Sequence, residues 1–228
     1  MPQPNIKIQL SANDAEPRLR INEIFFSLQG ETSRIGLPTV FIRLTGCPLR
    51  CGYCDTAYAF HEGTTQTFDD IFEKVDAYQA KFITVTGGEP LAQKDCLKLL
   101  TSLCDKGYSV SLETSGALDI TNVDKRVSRI VDIKTPGSEE VEKNRWENIQ
   151  HLNQHDEVKF VICDRHDYEW AKDVMKQYDL TSRCPVLFSP IHKMLEAKIL
   201  AEWILQDRLD VRMQVQLHKY LWGDVPGH

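Results

Sequence analysis

Three cysteines stand close together in one short segment of the chain, Cys47-Pro48-Leu49-Arg50-Cys51-Gly52-Tyr53-Cys54. A structural zinc ion takes four protein ligands and a catalytic zinc takes three and a water, while a closed iron–sulfur cluster takes four cysteines. Three thiols at this spacing therefore favour a 4Fe–4S cluster in which one iron lacks a protein ligand and can bind a small molecule. A zinc knuckle, with His61 or a distant cysteine as fourth ligand, is the alternative interpretation.

A second motif, Gly87-Gly88-Glu89-Pro90, ends the apolar run Phe82–Thr86, just as the cysteine segment follows the apolar run Phe41–Leu44. Glycines lack Cβ atoms, so the backbone there can approach a ligand closely. The two motifs, in this order and with Tyr53 as the aromatic residue of Cys-x3-Cys-x-aromatic-Cys, resemble the radical S-adenosylmethionine (SAM) superfamily. The resemblance implies a 4Fe–4S cluster whose open iron binds SAM.

Composition narrows the class of protein. The 228 residues are 42% hydrophobic and 26% charged, with a formal charge of −6, which is typical of a globular domain and argues against a nucleic-acid-coating protein. No apolar run approaches membrane-spanning length. The seven cysteines are odd in number and partly clustered, which indicates a metal site in a reducing, cytoplasmic compartment. We expect residues 1–18 to form a flexible lead-in and residues 19–228 a single domain.

The elements that must position these motifs alternate along the chain. The predicted strands are Leu19–Leu28, Val40–Leu44, Phe82–Thr86, Tyr108–Glu113, Arg129–Ile133, Val158–Cys163, Val186–Ser189 and Val211–Leu217, and the predicted helices are Phe68–Tyr78, Leu91–Lys106, Asn144–Leu152, Asp164–Tyr178 and Met194–Gln206. Alternation implies parallel pairing through crossovers. About six such units cannot complete an eight-fold barrel, so we predict an α/β fold of the partial, open (β/α)6 barrel type. Ligands should bind at the carboxyl ends of its strands.

Further motifs resemble one family, the 7-carboxy-7-deazaguanine synthases: Leu28-Gln29-Gly30-Glu31, Cys54-Asp55-Thr56, Leu112-Glu113-Thr114-Ser115-Gly116 and His218-Lys219-Tyr220-Leu221. The resemblance implies ring contraction of 6-carboxy-5,6,7,8-tetrahydropterin to 7-carboxy-7-deazaguanine with loss of ammonia, in 7-deazapurine (queuosine-type) biosynthesis. It also implies that a deoxyadenosyl radical takes a hydrogen from the substrate and returns it, which regenerates SAM, and that Mg²⁺ lies beside the substrate carboxylate.

The same resemblance assigns roles to residues of this chain, none of them as a separate catalytic acid or base. Its cluster ligands are Cys47, Cys51 and Cys54, and its magnesium ligand is Thr56. Its SAM contacts are Tyr53, Asp55, Gly88, Glu113, Ser115 and Lys134. Its substrate contacts are Leu28, Gln29, Gly30, Glu31, Arg43, Asp55, Thr86 and His218. Among them, Arg43 is expected to pair with the substrate carboxylate, and Glu31 to accept from the N–H edge of the pterin.

The resemblance also implies partners, and the chain differs from the family's pattern at a few positions. The resemblance implies a homodimer, a small-molecule pterin substrate and an electron donor such as flavodoxin or ferredoxin, and we expect no nucleic-acid or membrane partner. The chain has Asp132-Ile133-Lys134 where some members carry Ser-Pro-Lys, and it continues past Leu221, which leaves Pro226 as a weak candidate for a terminal substrate contact. The alternatives are another radical SAM enzyme, such as a glycyl-radical activase, and a non-catalytic metal-binding module.

Overall fold

A nine-stranded sheet runs through the structure, a computed structural model that describes residues 16–223, 225 and 227. In chain order the strands are β1 (Arg18–Leu28), β2 (Pro38–Leu44), β3 (Thr64–Thr67), β4 (Phe82–Gly87), β5 (Ser109–Thr114), β6 (Ser128–Asp132), β7 (Glu157–Ile162), β8 (Val186–Pro190) and β9 (Arg212–Met213). Their order in the sheet is β3-β1-β2-β4-β5-β6-β7-β8-β9. Strand β1 is antiparallel to β2 and β3, and every pair from β2 to β9 is parallel.

Helices complete most of the crossovers. The α-helices are α1 (Phe68–Ala77), α2 (Cys96–Asp105), α3 (Arg165–Tyr178), α4 (Ala197–Asp207) and α5 (Leu217–Trp222). The 3-10 helices are Ala57–Phe60, Pro90–Ala92, Pro136–Ser138, Val141–Lys143, Trp146–His151 and Leu180–Ser182. The sheet does not close on itself, so the predicted partial, open α/β barrel is confirmed. Between β5 and β6 the described chain has turns only, and the helix predicted at Asn144–Leu152 is a 3-10 helix.

Local sequence explains where the helices begin. The Thr67 side chain accepts from the Asp70 amide while the Asp70 carboxylate accepts from the Thr67 amide, which is the capping box expected at α1. At α3 the Asp164 carboxylate accepts from the Asp167 amide. The helix predicted from Leu91 begins only at Cys96. The residues before it form a separate 3-10 helix, Pro90–Ala92, which Glu89 caps by accepting from the Leu91 amide.

The core lies between the sheet and these helices. The central strands carry side chains that are completely or almost completely buried, among them Ile42, Val85, Leu112 and Phe160. Strands buried on both faces read as continuous apolar runs, which is why sequence alone located β2, β4 and β5 closely. The short edge strand β3 is polar, Thr64-Thr65-Gln66-Thr67, and was not predicted.

The C-terminal segment differs most from expectation. Residues 211–217 were predicted as a strand that carries His218 at its end, but β9 has two residues and His218 lies in α5. The chain leaves the sheet because the Thr32 amide donates to Gln214 Oε1 at 2.7 Å and the Leu217 amide donates to the Gly30 carbonyl at 3.0 Å. These bonds draw the segment over the loop that follows β1.

Two sequence predictions fall largely or wholly outside the described residues: most of the lead-in at 1–18, and Pro226. Strand β1 begins at Arg18. Over the part of the chain that the structure describes, no helix is both long and apolar enough to cross a bilayer.

Candidate active site

The carboxyl ends of the parallel strands open onto one cavity of about 670 Å³. Every residue that the sequence assigned to cluster, magnesium, SAM or substrate lines it: Leu28, Gln29, Gly30, Glu31, Arg43, Cys47, Cys51, Tyr53, Cys54, Asp55, Thr56, Thr86, Gly88, Glu113, Ser115, Lys134 and His218. They come from the end of β1 and the loop after it, from β2 and the cysteine loop that follows, from the ends of β4, β5 and β6, and from α5. The fold therefore brings all of these residues together, while their individual roles stay predictions.

The cysteine loop follows β2 and presents three half-buried free thiols, Cys47, Cys51 and Cys54. Burial raises the pKa of Cys47 and Cys51, and the charge of Lys134 acts against that rise at both. Thiols must be deprotonated to bind metal, so iron has to replace their protons. Soft thiolates are the ligands that iron–sulfur clusters need.

The fourth ligands considered for a zinc knuckle, His61 or a distant cysteine, do not line this cavity. Among residues 16–223, neither His61 nor any of Cys96, Cys104, Cys163 and Cys184 lines it. No three His, Cys, Asp or Glu side chains of the described chain converge well enough to hold one metal ion. A single zinc needs ligands that converge on one point, whereas the three thiols of a 4Fe–4S cluster each bind a different iron. The donor set fits the cluster.

Backbone packing within the protein requires glycine at both Gly87 and Gly88. A Cβ on Gly88 would lie 2.3 Å from the Gly46 carbonyl oxygen, and a Cβ on Gly87 would lie 2.3 Å from the Leu44 carbonyl oxygen. The Gly88 amide donates to Leu44 at 3.1 Å and the Glu89 amide donates to Gly46 at 2.7 Å. The end of β4 is thus fastened to the start of the cysteine loop, and a contact of Gly88 with SAM would come in addition.

Glu89 fastens the end of β5, a role that sequence reasoning missed. Its side chain is completely buried and accepts from Thr114 Oγ1 at 2.9 Å and from the Ser115 amide at 2.7 Å. It also accepts from the Ser115 hydroxyl. The available sequence signal was the position of Glu89 in the Gly87-Gly88-Glu89-Pro90 motif, of which only the glycines were given a role.

Arg43 projects into the cavity from β2 and is already oriented. Its Nε donates to Glu23 Oε1 at 2.7 Å, and the Tyr58 hydroxyl donates to the same oxygen at 2.9 Å. The guanidinium lies 5.6 Å from the ring centre of Phe25. Within the described residues its two terminal nitrogens have no hydrogen-bond partner, so a bidentate acceptor such as a carboxylate can bind there.

The loop after β1 is hydrogen-bonded to the end of β5. Gln29 Nε2 donates to Glu113 Oε1 at 3.2 Å, and Thr86 Oγ1 donates to Glu113 Oε2 at 2.9 Å. Burial raises the pKa of Glu113. The Gln29 side chain is therefore used inside the protein. Its backbone is used there as well, because its amide donates to the Leu37 carbonyl at 2.9 Å and its carbonyl accepts from the Gly36 amide at 2.8 Å.

An ionic row crosses the cavity floor and includes two residues that were not predicted, Lys159 and Asp132. Lys159 Nζ lies 2.7 Å from Glu31 Oε2 and 3.6 Å from Asp132 Oδ2, and Lys134 Nζ lies 3.0 Å from Asp132 Oδ2. Burial alone would lower the pKa of Lys159, but Glu31 and Asp132 hold it well above its usual value. A lysine inside the apolar strand Val158–Ile162 was the available sequence signal.

Helix α5 closes one side of the cavity on the cysteine loop. Lys219 Nζ lies 2.8 Å from Asp55 Oδ2, and Gln216 Nε2 donates to the same oxygen at 3.1 Å. Asp55, assigned to ligands, is thus also the anchor of α5. Sequence reasoning missed Gln216 and Lys219. It also missed residues 189–194, at the end of β8 and just after it, which line the cavity too.

Gly30 fits under the His218 ring. A Cβ at Gly30 would lie 2.1 Å from His218 Nδ1, so we expect Gly30→Ala to displace His218 and to lower both the midpoint of thermal unfolding and kcat/KM. Removing the ring as well, in Gly30→Ala with His218→Ala, should restore the midpoint but not the activity. A single Gly30→Ala variant with unchanged unfolding and kinetics would contradict this packing.

Comparisons with known proteins agree on one family. The family model of the Radical SAM superfamily matches residues 41–179. A 7-carboxy-7-deazaguanine synthase of Chlorobaculum tepidum is 47% identical over 211 residues, covering 91% of this chain and 96% of that protein. One of Koribacter versatilis is 41% identical and covers 90% of this chain and 97% of its own length. The crystal structure of QueE from Escherichia coli matches the fold with a TM-score of 0.72, at 24% identity, over 88% of this chain and 95% of that one.

Proposed function

The chain belongs to the 7-carboxy-7-deazaguanine synthase family of the radical SAM superfamily. On this premise we propose which cavity residues bind the cofactors and which bind the substrate. It is a lyase that converts 6-carboxy-5,6,7,8-tetrahydropterin to 7-carboxy-7-deazaguanine with release of ammonia. Its cofactors are a 4Fe–4S cluster and SAM, and it acts on a small molecule with the help of a reductant.

One observation carries the division of roles: the residues assigned from separate motifs line the same cavity of about 670 Å³. That volume lies within the range of roughly 300–1,000 Å³ found for ligand pockets. The cysteines and Arg43 line this cavity together, and Glu113 at the end of β5 accepts from Gln29 of the loop after β1 and from Thr86 of β4. This arrangement supports simultaneous binding of cofactor and substrate.

The cofactor side comprises the thiols and the strand ends beside them. Cys47, Cys51 and Cys54 would hold the cluster, which together with SAM supplies a 5′-deoxyadenosyl radical on reduction. The SAM contacts would be Tyr53, Asp55, Gly88, Glu113, Ser115 and Lys134. Lys134 is 8% exposed and Ser115 is equally buried, so both would meet SAM in a site from which water is largely excluded.

The substrate side orients the pterin. Arg43, held at Nε by Glu23, would bind the carboxylate through its terminal nitrogens. Glu31 would accept from the N–H edge, while Thr86, His218 and the backbone of residues 28–30 would fix the ring plane. Holding the reacting carbon in one orientation is the main contribution a protein makes when the cofactor does the difficult chemistry.

We propose that Thr56 binds Mg²⁺ beside the substrate carboxylate. Thr56 stands at the N-cap of the 3-10 helix Ala57–Phe60, yet its side chain makes no capping hydrogen bond. Within residues 16–223 its hydroxyl has only a 3.9 Å contact with Cys54 Sγ, so an oxygen suited to a hard cation is available in the cavity.

We expect Thr56→Val to raise the Mg²⁺ concentration needed for half-maximal activity by about tenfold, because a lost ligand worth ~1.4 kcal/mol weakens binding by that factor. Activity should be measured against Mg²⁺ concentration, with Thr64→Val on the edge strand β3 as the control. An unchanged Mg²⁺ dependence would remove Thr56 from the metal site.

The finer partners are also proposals. The expected electron donor is a flavodoxin or a ferredoxin, the expected assembly is a homodimer, and the expected location is the cytoplasm. Support for a reducing compartment is that all seven cysteines are free thiols. A glycyl-radical activase and a non-catalytic metal module lose ground, because the similar curated relatives are named as synthases.

The substrate assignment is tested by comparing two pterins. Anaerobically reconstituted protein, with reductant, SAM and Mg²⁺, should convert 6-carboxytetrahydropterin to 7-carboxy-7-deazaguanine, detected by mass spectrometry. Tetrahydropterin without the carboxylate should give no deazaguanine. Equal processing of both pterins would contradict the role given to Arg43. Release of deoxyadenosine without any deazaguanine from either pterin would contradict the substrate assignment.

A further inference from the structure

Lys159 places a cation among the carboxylates of the cavity floor. It belongs to β7, and its side chain is 14% exposed, with Nζ 2.7 Å from Glu31 Oε2 and 3.6 Å from Asp132 Oδ2. Glu31 comes from the loop after β1 and Asp132 from the end of β6. Lys159 therefore joins three separate segments of the chain at one point.

Glu31 depends on this cation. The residue is 8% exposed, and a buried carboxylate is unstable unless a cation or several hydrogen-bond donors balance it. Lys159 is the only side chain that donates to it among the described residues, and it does so at Oε2 alone. The second oxygen, Oε1, remains able to accept from a ligand in the cavity.

The contact continues toward the cofactor side. Asp132 Oδ2 contacts both Lys159 and Lys134. Its Oδ1 is buried and has no hydrogen-bond partner in the described structure. Negative and positive charges thus alternate from Glu31 through Lys159 and Asp132 to Lys134. A change at Lys159 therefore acts on both carboxylates that it contacts.

We propose that Lys159 is a positioning residue that holds the Glu31 carboxylate in the orientation that accepts the N–H groups of the pterin, and that it thereby sets substrate affinity. The proposal rests on the function proposed above. In this proposal Lys159 acts through Glu31, whose Oε2 accepts from Lys159 Nζ at 2.7 Å.

The test is a double-mutant cycle read by binding. The holoenzyme is titrated with 6-carboxypterin, the fluorescent oxidised form of the substrate, in the presence of SAM and Mg²⁺. Glu31→Gln and Lys159→Met should each raise the dissociation constant by roughly tenfold or more, as expected for a hydrogen bond to a charged group. In the Glu31→Gln background, Lys159→Met should add less than about threefold, because coupled residues are not additive.

Two further variants separate positioning from folding. Lys159→Arg keeps the cation and should stay within about threefold of the unaltered protein in binding, even if Lys159→Met proves too unstable to purify. Lys172→Met removes an ion pair of similar length, 2.6 Å to Asp207, outside the cavity and should leave binding unchanged.

The outcomes are distinct. Losses that add in the double variant, or unchanged binding in Lys159→Met, would overturn the proposal while leaving the family reaction standing. Weak binding by Lys159→Arg equal to that of Lys159→Met would do the same. Failure of the unaltered holoenzyme to bind 6-carboxypterin would contradict the substrate assignment itself and with it this inference.

Discussion

Replacing Cys51 by alanine should leave a folded protein that holds no intact 4Fe–4S cluster and cleaves no SAM. Three thiols are the whole protein ligand set of such a cluster, so the loss of one cannot be replaced by another cysteine of the cavity. The side chain is half-buried, so folding should change little, within about 0.5 kcal/mol in the free energy of unfolding. Iron content, the brown colour after reconstitution and deoxyadenosine release should all fall to background.

The matched control is Cys163→Ala. Cys163 is a free thiol of similar intermediate exposure, but it lies at the end of β7 and does not line the cavity. The cluster and SAM cleavage should survive its removal. A Cys51→Ala protein that keeps four irons per chain, or a Cys163→Ala protein that loses them, would contradict the ligand assignment.

Replacing Arg43 by alanine should weaken substrate binding severely and leave slow, uncoupled cleavage of SAM intact. Truncating one partner of a buried, hydrogen-bonded charge pair costs about 2–5 kcal/mol, so KM should rise by more than ~10-fold. The cysteine loop does not depend on the guanidinium, whose observed hydrogen bond goes to Glu23 on β1. The measurements are product formation and deoxyadenosine release on the same samples.

Arg165→Ala is the control for lost packing and charge. Like Arg43, Arg165 contacts aromatic rings, with its guanidinium 4.8 Å from the ring centre of Tyr168 and 5.0 Å from that of Trp203. It also forms an ion pair with Glu169. Unlike Arg43, it lies on α3, outside the cavity. Its replacement should leave KM unchanged. Normal turnover by Arg43→Ala would show that another group binds the carboxylate.

The sequence predicted the parts of the fold that local pattern controls. Apolar runs located the central strands because both faces of a parallel sheet are covered, and the Thr67–Asp70 pair located the start of α1. It could not predict β3, whose Thr64–Thr67 segment is polar and becomes a strand only by pairing with β1. Nor could it predict α5, whose direction is set by contacts with Thr32 and Gly30, far away in the chain.

The same limit applies to the cavity. Motifs identified residues with a recognisable spacing, such as Cys47, Gly88 and Glu31. They could not reveal that Lys159 faces Glu31, because those residues are 128 positions apart and meet only through the order of strands in the sheet. Motif reading also assigned Asp55 to ligands alone, whereas its ion pair with Lys219 anchors the C-terminal helix.

The reaction assigned to this cavity is tested most directly by the number of product molecules formed for each SAM consumed. Reconstituted protein is supplied anaerobically with reductant, Mg²⁺, limiting SAM and excess 6-carboxytetrahydropterin, and both compounds are quantified by mass spectrometry. Because the hydrogen taken from the substrate is expected to return and regenerate SAM, 7-carboxy-7-deazaguanine should exceed the SAM consumed many times over. One SAM lost for each product, or deoxyadenosine without 7-carboxy-7-deazaguanine, would contradict it.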